Sequence, residues 1–177
     1  YGEGEHAVVL AHGAVFDKES WDPLARSIAD QAIQVLAIDF RGYGKSKAGK
    51  NASGRHLDLL AAIAYLSERG AKRVSLLGGS MGGAAAVRAA IEPSASGLRK
   101  LILLAPAQVS SPKKLQGDKL LIVSKGDGLH SSVVQAHKKA SNPKRLLVLD
   151  GDAHAQYIFR TRHGIALRQA ILDFLSE

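Results

Sequence analysis

The chain has 177 residues, 46% of them hydrophobic, and a mean hydropathy of −0.03; this predicts one soluble globular domain, residues 1–177, that buries a single core without covalent staples. No run approaches the ~18 consecutive apolar residues of a membrane span, and the absence of cysteine excludes disulfides, thiol nucleophiles and thiolate metal sites. The formal charge of +8 is dispersed, with pairs at Lys113-Lys114, Lys138-Lys139 and Lys144-Arg145, and aromatic residues make up only 5%, so a solvated basic surface is expected and a nucleic acid partner is not.

Tyr1-Gly-Glu-Gly-Glu-His6 holds neither the basic nor the apolar region of a signal peptide, and the expected location is cytoplasmic. An aliphatic run follows at 7–11 and leads into His12-Gly13-Ala14. A helical pattern at 21–32 precedes a second run at 35–38, which ends in Asp39-Phe-Arg-Gly-Tyr-Gly-Lys-Ser46. A helix at 57–68, closed by Gly70, leads to the third run at 74–77, and a helix at 81–92, closed by Pro93, leads to the fourth at 101–105. Residues 106–118 form the longest connection without a clear helix. The fifth run, 120–123, is followed by a helix at 131–140, the sixth run at 146–149 and a last helix at 164–175. The runs are nearly continuous rather than alternating, as strands covered on both faces are. The predicted class is therefore α/β: a doubly wound, mainly parallel six-stranded sheet with helices on both faces.

In such a sheet chemistry collects at the carboxyl ends of the strands. After the third run stands Gly78-Gly79-Ser80-Met81-Gly82, a G-x-S-x-G pattern. A chain that turns so sharply from strand to helix holds its serine in a strained conformation, and glycines at 78 and 82 remove Cβ atoms that would collide. The Ser80 hydroxyl is then exposed at the positive end of a helix, where it becomes a nucleophile once a base takes its proton. Alone, the pattern also fits a tight turn that packs or binds phosphate. The rival Gly42-Tyr-Gly-Lys-Ser46 ends like a phosphate loop but has Asp39 where the first glycine is required.

Together with His12-Gly13-Ala14, the Asp39–Ser46 turn and Gly151-Asp-Ala-His154, the serine segment resembles the α/β-hydrolase superfamily, in motif style the serine esterases and monoacylglycerol lipases. The resemblance runs from about residue 6 to the end of the chain. It implies a nucleophile, an acid and a histidine in that order, here Ser80, Asp127 and His154. The rivals are Asp152, too close in sequence to His154 to come from its own strand end, and His163, placed to cap the last helix. The resemblance also implies an oxyanion hole from the backbone N–H groups of Ala14 and Met81. His12 is expected to tie loops together and Trp21 to pack.

Many relatives carry a helical cap in the interval that 106–119 occupies, and two leading antiparallel strands for which no sequence stands before the first run. Either a minimal member or a trimmed one is expected, uncapped, with the Lys113-Lys114 pair beside an open site as an attraction for acidic substrates. The resemblance implies a serine hydrolase of carboxylic esters, short acyl esters or monoacylglycerol-like, working through an acyl-enzyme on a small-molecule substrate. Thioesters or small amides are the alternative with the same triad, and a catalytically silent binding module is the alternative without it. Dehalogenase and epoxide hydrolase relatives need an aspartate at the position of Ser80. No cofactor is expected and no metal, since no His/Asp/Glu cluster shows ligand spacing.

Overall fold

The computed structural model describes residues 1–48 and 53–177. Strands β1 (His6–Ala11), β2 (Gln34–Ile38), β3 (Arg73–Gly79), β4 (Lys100–Leu104), β5 (Asp118–Ser124) and β6 (Lys144–Leu149) form one sheet in the order β2-β1-β3-β4-β5-β6. Every neighbouring pair is parallel. The helices are α1 (Asp22–Ala29), α2 (Arg55–Glu68), α3 (Met81–Ala89), α4 (His130–Lys139) and α5 (Gly164–Ser176). The expected class is the one found.

The strand order reverses at β1, which has β2 on one side and β3 on the other. Because parallel crossovers are right-handed, this reversal sends successive helices to opposite faces. Accordingly α1 packs with α5, and α2 packs with α3. All residues of β1 and β4 are buried, whereas in the edge strand β2 only Val35 is. Tyr1 and Val35 exchange both main-chain hydrogen bonds at 2.8 Å, which satisfies one residue of that edge.

Helix ends depart from the predicted ones for local reasons. The pattern at 21–32 begins as a 3-10 turn at Lys18–Trp21, becomes α-helical where Pro23 presets φ, and has stopped before Ala32, whose φ is +56°. The helix predicted to reach 92 ends at Ala89, and Pro93 opens a separate 3-10 turn, Pro93–Ala95. A further 3-10 turn, Ala155–Arg160, follows His154 where no element was expected.

The basic surface also needs correction, since two lysines are interior. Lys100 is 1% and Lys119 3% exposed; Lys100 Nζ donates to the carbonyl of Phe174, near the end of α5, and Lys119 Nζ to that of Gly117 at 2.6 Å. Burial pushes both ammonium groups below their ordinary range.

At the amino end of β1, the buried His6 has its Nε2 2.8 Å from Ser75 Oγ. Burial first, then the charges of Arg73, Arg99 and Lys100, lower its pKa from 6.5 to about 4. Between those values the unfolded chain binds the proton and the folded chain does not. The stability associated with the neutral ring is therefore fully present above about pH 6.5 and is lost as pH falls toward 4. The urea midpoint is expected to drop between pH 7 and pH 4.5, and to drop less in His6→Gln; equal drops would assign the loss to other groups.

Candidate active site

The reversal of strand order opens a crevice between the carboxyl ends of β1 and β3, the place where ligands bind in open α/β sheets. Ser80 stands there as the single residue between β3 and α3, with φ +49° and ψ −110°. A serine so far from the allowed regions costs about 1–3 kcal/mol and persists only where its surroundings impose it. Here Ser80 N–H donates to Leu104 O at 3.0 Å, and Ser80 O accepts from Ala84 N–H at 3.0 Å and Ala107 N–H at 2.9 Å.

The neighbouring glycines are explained by backbone contact. A Cβ at Gly78 would lie 2.4 Å from Gly82 O, one at Gly82 2.3 Å from Ala11 O, and one at Gly83 2.9 Å from Pro106 Cα. The first two positions are those the sequence singles out; the approach of Gly83 to Pro106 belongs to the tertiary structure alone.

His154 Nε2 lies 2.8 Å from Ser80 Oγ, and its Nδ1 lies 2.7 Å from Asp127 Oδ2. The carboxylate accepts, so Nδ1 carries the hydrogen and Nε2 is left to accept from the serine hydroxyl. The other carboxylate oxygen of Asp127 accepts the N–H of Leu129 at 2.8 Å. Asp127 comes from the turn after β5 and His154 from the loop after β6, and three bonds lace these segments together. They are Lys125 N–H to Leu149 O, Gly126 N–H to Gly151 O, and Ser124 Oγ to Ala153 O, at 2.7–2.8 Å. The Asp127 side chain is 3% exposed and that of His154 39%, so the acid is shielded while the imidazole faces the opening.

The rivals stand elsewhere. Asp152 is exposed and has no bond to His154, and His163 caps α5 beside Arg162. Trp21 is buried with its ring edge-on to Phe159 at 6.1 Å, as a packing residue is. The Asp39–Ser46 turn is held by its own carboxylate: Asp39 accepts from the backbone N–H groups of Lys18 and Lys45 and pairs with Lys18 Nζ at 2.6 Å. Burial works against the charge of Asp39, but these donors outweigh it and hold the carboxyl at about 2. A Cβ at Gly44 would overlap the same carboxylate, so the loop wraps closely around Asp39, which already takes the Lys45 N–H.

His12 is buried. Its Nε2 accepts the N–H of Phe40 at 3.2 Å, so its Nδ1–H donates, at 2.8 Å, to Gly13 O. Burial lowers its pKa and keeps this tautomer neutral. Gly13 O also accepts from Phe16 N–H at 3.1 Å. In a trans peptide the next N–H points away from that carbonyl; it belongs to Ala14, which is exposed and has no partner among the described residues. Met81 is the first residue of α3, so its N–H has no intrahelical acceptor.

One residue of this crevice escapes the sequence reading. Gln156, 4% exposed, accepts Gly13 N–H on Oε1 at 2.7 Å and donates from Nε2 to Ser20 Oγ at 2.6 Å. It thereby fixes the His12–Gly13 peptide, the one before Gly13–Ala14, from two positions beyond His154. Only its burial betrays it, and nothing in the sequence pairs position 156 with position 13. Among the described residues, no group of three or more His, Asp or Glu side chains converges as metal ligands would, and no helix is long and apolar enough to cross a membrane.

The chain is similar to known proteins at two levels. It is 32% identical over 130 residues to a 2-hydroxy-6-oxononadienedioate/2-hydroxy-6-oxononatrienedioate hydrolase of a Pseudomonas species, a match covering 68% of this chain and 44% of that protein. It is 35% identical over 129 residues to a 2-hydroxy-6-oxo-6-phenylhexa-2,4-dienoate hydrolase of Comamonas testosteroni, again covering 68% and 44%. The match thus spans under half the length of these two relatives. In fold it is similar to the monoacylglycerol lipase of Paleococcus ferrophilus, with TM-score 0.83, 17% identity and coverage of 99% and 96% of the two chains. An esterase of Exiguobacterium antarcticum gives TM-score 0.81 at 16% identity, covering 100% and 94%. Residues 8–170, from β1 into α5, match the alpha/beta hydrolase family as a whole, and with the strand order and the β3–α3 turn in place the chain belongs to that family.

Proposed function

We propose that the chain is a serine-dependent hydrolase of carboxylic esters in which Ser80 is the nucleophile, His154 the base and Asp127 its orienting acid. The observation that carries this reading is the continuous chain of hydrogen bonds from Ser80 Oγ through His154 to Asp127, at 2.8 and 2.7 Å. Ser80 Oγ attacks the ester carbonyl carbon while His154 Nε2 takes its proton, and Asp127 stabilises the resulting imidazolium. The N–H groups of Ala14 and Met81 receive the oxyanion, each such donor being worth about 2.7–4 kcal/mol in the transition state. Collapse breaks the bond to the alcohol, which leaves with the proton from His154. Water, deprotonated by His154, then cleaves the acyl-enzyme, releasing the acid and restoring Ser80.

Thioesters and small amides fit the same sequence of steps. A silent binding module would have no need of this hydrogen-bonded relay or of the strain at Ser80. The likeness to the two dienoate hydrolases favours a second reading, hydrolysis of a 2-hydroxy-6-oxo dienoic acid by the same three groups. Turnover of such an acid, measured beside p-nitrophenyl esters, separates the two.

Ser80→Ala is expected to abolish fluorophosphonate labelling and ester turnover with the fold intact, and a variant that labels at the full rate would move the nucleophile elsewhere. Asp127→Asn is expected to lower kcat by roughly 10²–10⁴, and Asp152→Asn far less; the opposite ranking would exchange the two carboxylates. The connection between β4 and β5 contains one 3-10 turn, Pro112–Lys114, and no longer helix. Each buried methylene is worth about 0.8 kcal/mol, a gain that stops where walls stop. Specificity, kcat/KM, should therefore peak at acyl chains of roughly two to six carbons, whereas a steady climb to long chains below their micelle concentration would require a tunnel.

A further inference from the structure

The cavity along α3, from Met81 to Arg88, gathers two guanidinium groups that no ion pair among the described residues neutralises. It measures about 230 Å3 and is lined by Arg55 and His56 from the start of α2, Met81 and Arg88 from α3, and Gln108 and Ser110 from the connection after β4. Two nitrogens of its wall, Arg55 Nε and His56 Nδ1, are buried without a hydrogen-bond partner. Folded proteins hold few such atoms, and each calls for an explanation, an ion or water among them. Neither Arg55 nor Arg88 forms an ion pair among the described residues. Arg55 lies over the Tyr43 ring at 5.7 Å, and Arg88 donates only a long 3.4 Å bond to Ser53 O. Of the carboxylates that act on His56, Asp58 is committed to Arg41 at 2.6 Å, which leaves Glu92 against two guanidinium groups.

The cavity reaches neighbours of Ser80 on two sides, while Ser80 and His154 themselves do not line it. Met81 follows Ser80 and lines it, and the Tyr43 hydroxyl beneath Arg55 donates to Met81 Sδ at 3.4 Å. Ala107, next to Gln108, donates its N–H to Ser80 O. The Lys113-Lys114 pair does not line this cavity.

We propose that this cavity is the subsite for a carboxylate carried by the substrate, gripped by Arg55 and Arg88, with His56, Gln108 and Ser110 as further hydrogen-bonding groups. Guanidinium forks match the two oxygens of a carboxylate, and the small volume suits that group on a short chain. The inference rests on the hydrolase reading above and narrows it to esters that are themselves acids.

Two matched pairs test it: monoethyl glutarate against ethyl pentanoate, with the charge on the acyl side, and 3-acetoxybenzoate against its methyl ester, followed by release of acetate, with the charge on the leaving group. In at least one pair the anion is expected to have the higher kcat/KM, by roughly tenfold or more at low ionic strength, and the preference should shrink with salt. Arg55→Gln and Arg88→Gln should bring the ratio toward one, and Lys139→Gln, on the exposed side of α4, should preserve it. Ester turnover with no anion preference in either pair, or a preference undiminished in both arginine variants, overturns the subsite. If no ester is turned over, the hydrolase reading fails, and titration with glutarate decides the subsite alone. A saturable shift of the His56 imidazole resonance that is lost in Arg55→Gln sustains it, and no shift overturns it.

Discussion

The constraint on which this structure depends is that one residue must carry the chain from the end of β3 into α3. Ser80 does so at φ +49°, and the turn closes only because Gly82 in the first turn of α3 lies against the carbonyl of Ala11, and Gly78 against that of Gly82, with no Cβ between them. The parallel pairing of β1 with β3 sets where Ala11 O stands, so the sheet register and the turn specify each other. The strain is local, while the bonds that hold it come from β4 and from the segment after it, through Leu104 O and Ala107 N–H. The strained conformation of Ser80 is thus maintained by elements far apart in sequence.

The remaining groups are placed by loops bonded to one another rather than to the solvent. The turn bearing Asp127 and the loop bearing His154 share three hydrogen bonds, and Gln156 carries that connection across to Gly13. On the far side His12 holds the following peptide, Gly13–Ala14, by its carbonyl. Two consecutive peptides are therefore held, His12–Gly13 by its N–H and Gly13–Ala14 by its carbonyl, and no side-chain rotamer can compensate for a misdirected N–H.

Besides the lysines at the exposed surface, three kinds of positive group differ in their physics. Lys100 and Lys119 are interior and direct their ammonium groups at main-chain carbonyls; others, such as Lys18 and Arg41, are paired with carboxylates. Arg55 and Arg88 have no carboxylate partner among the described residues, Arg88 reaching only the Ser53 carbonyl at 3.4 Å, and both line the cavity that Met81 also lines. A net charge read from composition does not distinguish these cases, since desolvation and pairing depend on neighbours brought together by the fold.

The sequence by itself determined the alternation of strand and helix, the six runs and the serine between glycines, because these are local: periodicity, continuous apolar runs and the steric needs of a one-residue turn lie within a few neighbouring positions. It also singled out Asp127 and His154, through the order and strand-end positions that the family resemblance implies. Tertiary structure alone decided the rest. Whether Asp127 or Asp152 meets the imidazole depends on the lacing of two loops, and the role of Gln156 on a contact across 143 positions. The ends of α1 and α3, the turn at Ala155–Arg160 and the gathering of Arg55, His56 and Arg88 were hidden for the same reason: each is fixed by backbone bonds or burial between distant segments. No window of sequence contains both partners of such an interaction.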